Sequence, residues 1–348
     1  MIAKQLSQIS SENQKIKFNT FLAVLRVYLC FNVINSHFLR TPPIIMKKYI
    51  IRILKNSLHV PIFFLMSFYF SRKLFLQKNI EKIKKRFERL IIPYFIWPMI
   101  IWILNNFLYY TFGLLFNIPL KGLIIQLMTG HYFMKVLWFQ YNLVFATLLI
   151  IIIIFLSLNY SVIILLNLCI FAFYFQYSNL NYKIFSKYDY FKRYTFGRFS
   201  EIIPYCIIGF IIPSLHLIFL RKYRLYSIYL LLLIFLLLLR YEIFIKINGF
   251  MCQGMPLVIK SSLVFLISLL MPYEKINNKY ISIIRIVTSY TSGIYFLHTN
   301  VQKWMKNCIA LIKNGTLSGN IMIYIISYVI SLIGDKIVRK SKYRCLFQ

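Results

Sequence analysis

An arginine and a histidine stand eleven residues apart in an otherwise apolar run, Phe21 to Phe38 (FLAVLRVYLCFNVINSHF). At 100° per residue this spacing is just over three helical turns. On a helix Arg26 and His37 therefore point to the same side, roughly 16 Å apart along the axis. Asn32 and Asn35 add hydrogen-bonding capacity between them. A guanidinium toward one end and an imidazole toward the other suit a passage lined for chemistry. The arginine can meet an anion, and a histidine near neutral pH can take the proton of a hydroxyl nucleophile. The alternative is a snorkelling arginine with a histidine at the interface.

A second group lies in KNIEKIKKRFERLIIPYFIW, residues 78–97, where Lys82, Lys84, Lys85, Arg86 and Arg89 fall within eight positions. Arg86 and Arg89 are i and i+3, neighbours on a helix face. Two guanidiniums so placed can grip a phosphate, with Lys85 beside them. A cluster that only sets membrane orientation explains the same residues. The third group is SYTSGIYFLHTNVQKW, residues 289–304, where Ser292, Tyr295 and His298 recur every third position and make a polar helix face. Hydrogen bonding between helices is the competing account. Trp138 and Phe139 open LWFQYNLVF, where an aromatic belt at the membrane interface is the plainer explanation. Glu242 stands close to Arg240 and is a further candidate for an outer cavity. Arg198 and Glu201, at i and i+3, are expected to pair. Lys260 lies within an apolar run, His59 is expected to make a hydrogen bond at a span start, and His131 and His216 receive no role. No metal site is expected. The six cysteines (Cys30, Cys169, Cys206, Cys252, Cys308, Cys345) form no CxxC pair and mostly sit in apolar runs.

The elements that position these groups follow from composition. Sixty percent of the 348 residues are apolar and 14% are charged, with a mean hydropathy of +0.69. A soluble chain of this size cannot bury that much apolar surface and still present a wet exterior. An all-α, polytopic membrane protein is expected, with about ten transmembrane helices around a central polar cavity. The candidate spans, at roughly 20 apolar residues each, are 20–39, 57–76, 90–112, 136–157, 161–177, 199–219, 225–241, 256–272, 283–302 and 319–338. The polar ninth span must face other helices or water. The connections are short, the longest near 40–56, 113–135, 178–198 and 303–318. The chain divides into an N-terminal tail (1–19), a membrane domain (20–340) and a C-terminal tail (341–348).

Net charge is +33, from 41 Lys+Arg against 8 Asp+Glu. The basic residues lie mostly between apolar runs, which points to anionic headgroups of the lipid bilayer rather than to nucleic acid. The heaviest basic cluster, between the second and third spans, puts both termini in the cytoplasm under the positive-inside rule. The first residues are polar and no small-residue cleavage site follows the first apolar run, so that span is expected to remain as an anchor.

These pieces, in this order, resemble the acyltransferase-3 family of integral membrane acyltransferases over about residues 19–340. Arg26 and His37 match its Arg-x10-His pattern. HVPIFFLMSFYFS (59–71) is similar to its phenylalanine-rich second span. Arg86-Phe-Glu-Arg89 followed by LIIPY matches its Arg-x-x-Arg motif. Leu137-Trp138-Phe139 resembles its Leu-Trp-Phe segment, and Ser292 to His298 its terminal Ser-x-x-Ile-Tyr-Leu-x-His stretch. Two departures stand out: Ala23 where the family often has Asp, and Phe68 where it has Gly. The resemblance implies transfer of an acyl group, usually acetyl, from acetyl-CoA in the cytoplasm to a hydroxyl of a saccharide, often cell-envelope polysaccharide or a lipid-linked oligosaccharide. No cofactor is held; the acyl-CoA is the donor substrate. His37 and Arg26 are the implied catalytic pair, and Arg86, Arg89 and Lys85 the implied donor-phosphate site. A bacterial plasma membrane is the implied location. A lipid-linked oligosaccharide flippase or a polysaccharide polymerase is the alternative, although neither internal repeats nor a long outer loop is visible. A degenerate family member kept as an assembly subunit is a further possibility.

Overall fold

The computed structural model describes residues 20–38, 58–113, 117–130, 132–134, 136–156, 160–177, 198–212, 223–247, 254–271, 278–305 and 317–337. Among them the only regular elements are helices: α1 (Thr20–Phe38), α2 (His59–Leu76), α3 (Ile80–Phe112), α4 (Leu120–Thr129), α5 (Leu137–Leu156), α6 (Ser161–Tyr177), α7 (Arg198–Ile211), α8 (Arg224–Ile247), α9 (Gly254–Leu270), α10 (Asn278–Ser289), α11 (Thr291–Met305) and α12 (Leu317–Ile337). Four contain stretches long and apolar enough to cross a membrane: Ile80–Phe112, Leu137–Leu156, Arg224–Tyr241 and Ser318–Ile337. Among the described residues the architecture is thus all-helical, with helices long and apolar enough to cross a membrane. Several expected spans appear as shorter apolar helices among the described residues, including Phe21–Asn35, Phe199–Ile211 and Leu257–Leu270.

Three segments depart from the expected pattern. The basic run 82–89 is not a connection but the first turns of α3, which has 33 residues and a length of about 50 Å. Asn79 caps it by accepting from the Lys82 amide at 3.0 Å, and Glu81 sits in the first turn. Lys78, with φ at 49°, makes the tight turn from α2. The connection 113–135 contains α4, and the ninth span is two helices parted at Tyr290. The hydroxyls around that break bond back to their own carbonyls. Thr288 donates to Ile284 O at 2.6 Å, Ser289 to Ile286 O at 2.7 Å and Thr291 to Thr288 O at 2.8 Å. The Tyr290 amide meets Val287 O at 3.2 Å, a 3₁₀-like closure. Such local bonds compete with helix continuation.

α2 and α7 pack most closely. A Cβ at Gly209 would stand 2.5 Å from the Leu65 carbonyl oxygen and 2.8 Å from the Leu65 Cα, so only glycine permits this approach. α1 lies against α10, α11 and α12 and also touches α2 and α9. Its early residues meet the start of α11, which also meets the end of α12. Its late residue Asn35 meets Asn320 at the start of α12. The start of α1 and the end of α12 therefore share one end of the bundle. α8 packs chiefly on α9 and turns Leu225, Leu230, Leu233, Leu236 and Leu237 outward, as a lipid-facing helix does.

Two apolar clusters fill the interior. One centres on α2, α5, α6 and α7, the other on α1, α3, α11 and Phe133, Met134, Val136 and Leu137. Phe63 and Phe139 pack against both, so the seam between the clusters runs through these two rings.

Candidate active site

The first sequence group meets the third at the α10–α11 break. Arg26 donates to Ser292 Oγ at 3.3 Å, and Cys30, one turn further along α1, places its thiol 3.5 Å from Thr291 O. Arg26 is half-buried, and among the described residues no carboxylate pairs with it. The start of α11 also carries the positive end of that helix's dipole. A guanidinium and a helix N-terminus side by side form a corner that repels cations and favours negative charge. α1 continues unbroken to Phe38, so the backbone register that sets His37 on the Arg26 side holds. The His37 side chain lies outside the described residues.

Tyr295, one turn along α11 from Thr291, reaches the seam. Its ring lies 5.3 Å from Phe139 and 6.4 Å from Phe63, and its hydroxyl donates to Val136 O at 3.3 Å. Phe139 also lies 4.5 Å from Phe64. His298 follows on the same face, buried, with Nδ1 at 3.2 Å from Ile294 O and its ring 5.9 Å from Tyr295. The second-span phenylalanines, the Leu-Trp-Phe segment and the late Ser/Tyr/His helix thus converge. The aromatic that makes this junction is Phe139, whereas Trp138 is half-buried at the edge of the larger cluster.

The segment that delivers Phe139 is non-helical and buried at Phe133, Met134 and Val136. In a membrane such backbone survives only where protein satisfies its polar groups. Here Gln126 does so, accepting from the amides of Tyr132 (2.8 Å) and Met134 (2.9 Å) and donating to Met134 O (3.3 Å). Lys303 of α11 donates to Phe133 O at 3.0 Å. α4 is tied to α3 in the same way. Trp102 donates to Ile118 O at 2.7 Å, Asn106 accepts from the Ile118 amide at 2.9 Å, and the Tyr94 hydroxyl donates to Leu127 O.

Arg86 turns inward from α3 beneath α2. It donates to Ser67 Oγ at 2.9 Å, its guanidinium carbon lies 5.5 Å from the Phe75 ring centroid and 5.8 Å from that of Phe68, and its Nε is buried without a partner. Among the described residues no carboxylate pairs with it. Ser67 is one turn from Phe63 on α2, so Arg86 sits about 6 Å along that helix from the aromatic seam. Arg89 and Lys85 are exposed. The two arginines therefore occupy different environments despite their i,i+3 spacing, one in the packing and one at the surface. Glu242 lies in α8, and its side chain, like that of Arg198, is outside the described residues. Lys260 is buried on α9.

Several participants were not singled out from sequence. Ser67, Phe63 and Gln126 carry no signal by type. Asp335, buried and accepting from the Tyr290 hydroxyl at 3.0 Å, was legible only as an acid in the last apolar helix. Cys30, Cys169 and Cys206 are free, buried thiols. Among the described residues no three His, Cys, Asp or Glu side chains come together as a metal would require. A family model described as an acyltransferase domain matches residues 19–334, nearly the whole chain. No curated protein and no solved structure matches it.

Proposed function

The chain belongs to the acyltransferase-3 family, and from that premise we propose that it moves an acyl group, acetyl in the simplest case, from cytoplasmic acyl-CoA to a hydroxyl of a cell-envelope polysaccharide or lipid-linked oligosaccharide. The observation that carries this reading is the Arg26–Ser292 corner: an inward-facing cation with no carboxylate partner among the described residues, at a helix N-terminus. Arg86 repeats the theme one layer away. Cations with no carboxylate partner among the described residues, held in an apolar bundle, suit a ligand that brings its own negative charge, and acyl-CoA does so through its phosphates.

In the proposed mechanism the phosphates meet Arg86, with Arg89 and Lys85 at the mouth. Arg26 and the start of α11 face the thioester, where negative charge develops on the carbonyl oxygen. The acceptor hydroxyl attacks the acyl carbon as its proton passes along the polar path to His37, about three turns of α1 away from Arg26, and the carbon–sulfur bond breaks. That proton returns to the departing thiolate, leaving an ester and free CoA. In this reading Tyr295 and His298 wall the path on one side, with Trp138 and Glu242 assigned to its rim. The full architecture in this reading is about ten crossings of a bacterial plasma membrane around a polar cavity, with both termini cytoplasmic.

Mass spectra of envelope glycans, before and after mild alkali, test the proposal in cells with the wild-type gene, no gene or His37→Ala. An alkali-labile acyl mass present only with wild type is expected. A change in glycan amount or chain length with unchanged ester content would sink the transferase and favour a flippase or polymerase.

A further inference from the structure

Asp335 stands where a carboxylate is hard to keep. It is buried, in the last turn of α12, where the helix dipole opposes an anion, in a chain with only 8 Asp+Glu among 348 residues. Its Oδ2 accepts from the Tyr290 hydroxyl at 3.0 Å, and the Tyr290 ring is held edge-on to Tyr328 with centroids 5.6 Å apart. Tyr290 is the residue between α10 and α11. The Ser289 and Thr291 hydroxyls satisfy carbonyls of α10, but those bonds tie the segment only to itself. Tyr290 ties the break to another element. The next two residues then present Thr291 O to Cys30 and Ser292 Oγ to Arg26.

Resting on the acyl-transfer reading, we infer that Asp335 is a positioning residue that acts through Tyr290, latching the α10–α11 break to α12 so that Ser292 is presented to Arg26. It touches no substrate; its effect is on the geometry of the corner. The Tyr290 hydroxyl needs an oxygen acceptor at this place, so an amide oxygen keeps that bond and an alkyl group does not.

The test uses Cys30 as a native reporter, since its thiol is buried against the break. The full chain in membranes is treated with N-ethylmaleimide for timed intervals, and alkylation is read peptide by peptide. Tyr290→Phe and Asp335→Leu should each speed Cys30 alkylation about ten-fold, the scale of one lost buried hydrogen bond. Asp335→Asn should stay within about three-fold. The double variant should be no faster than the worse single, because both changes remove one interaction. Cys206, buried on α7, should not change and guards against global loosening. Acyl transfer should fall in the same order, through turnover rather than the donor KM. An unchanged Cys30 rate, an equal rise at Cys206 or multiplying effects would overturn the latch. A wild type that forms no ester defeats the acyl-transfer reading alone, and the alkylation arm still decides the latch.

Discussion

Replacing Arg86 separates its role in the fold from its role with the donor. The guanidinium makes one hydrogen bond to Ser67, rests over two phenylalanine rings, and leaves Nε buried without a partner. Arg86→Met keeps an apolar stem between Phe68 and Phe75. It loses about 1 kcal/mol of hydrogen bonding and about 0.5–1 kcal/mol for each ring contact. Removing a buried cation that has no carboxylate partner among the described residues offsets this loss. The net change in stability is then within about 1–2 kcal/mol, a few degrees of melting temperature in detergent. A charge-assisted contact to a donor phosphate is stronger, about 1.5–3 kcal/mol, which is roughly 10- to 100-fold in donor KM. Arg89→Ala, at an exposed position, should cost no more than about five-fold. The assay is initial rate against acyl-CoA concentration in proteoliposomes, alongside thermal unfolding of each variant. The reasoning fails if Arg89→Ala raises KM as much as Arg86→Met, or if Arg86→Met lowers only the maximal rate.

Three further outcomes follow from the geometry. His37→Ala should abolish ester formation with unchanged protein in the membrane and a near-normal donor KM, read by glycan mass spectrometry and donor titration. Tyr295→Phe keeps its ring contacts with Phe139 and Phe63 and loses only the bond to Val136 O, so turnover should fall about five-fold; Tyr295→Leu should fall much further in the same rate assay. Gly209→Ala forces a Cβ onto the Leu65 backbone and should lower stability by about 1–3 kcal/mol, seen as a lower melting temperature with little change in donor KM.

Much of the candidate site is legible in the sequence because lipid makes polar residues conspicuous. Arg26, Ser292, Tyr295 and His298 stand out against apolar neighbours, and the helical register of α1 already set Arg26 and His37 on one side. What spacing could not supply was the environment. Arg86 and Arg89 look equivalent at i and i+3, yet α2 covers one and leaves the other exposed. Tyr295 read as one member of a polar face. Its importance comes from Phe139, read in the sequence only as part of an interface belt and a Leu-Trp-Phe segment, and from Phe63, unremarkable among 33 phenylalanines. The break at Tyr290 was hidden because hydropathy over 283–302 averages across it, while the local Ser and Thr bonds that interrupt the helix depend on side-chain rotamers.

The break also shapes how the polar ninth segment uses its hydroxyls. In a continuous helix Ser289, Thr291 and Ser292 could all bond back to earlier carbonyls, as Ser261 and Ser268 do in α9. Interrupted, the chain directs two of them onto the carbonyls of α10, and the third accepts from Arg26. It also gives α11 a buried N-terminus at the one place where α1 offers a cation. Two positive features placed together are unfavourable without a ligand. Asp335 accepts from the Tyr290 hydroxyl, and among the described residues no carboxylate pairs with Arg26. The corner is therefore built at a cost to the empty protein, which an anion developing on a bound thioester would relieve. That places its contribution in the rate of transfer more than in donor affinity. Arg26→Met should accordingly lower turnover more than it raises KM, the reverse of the pattern expected at Arg86, and equal KM effects at both positions would refute this division.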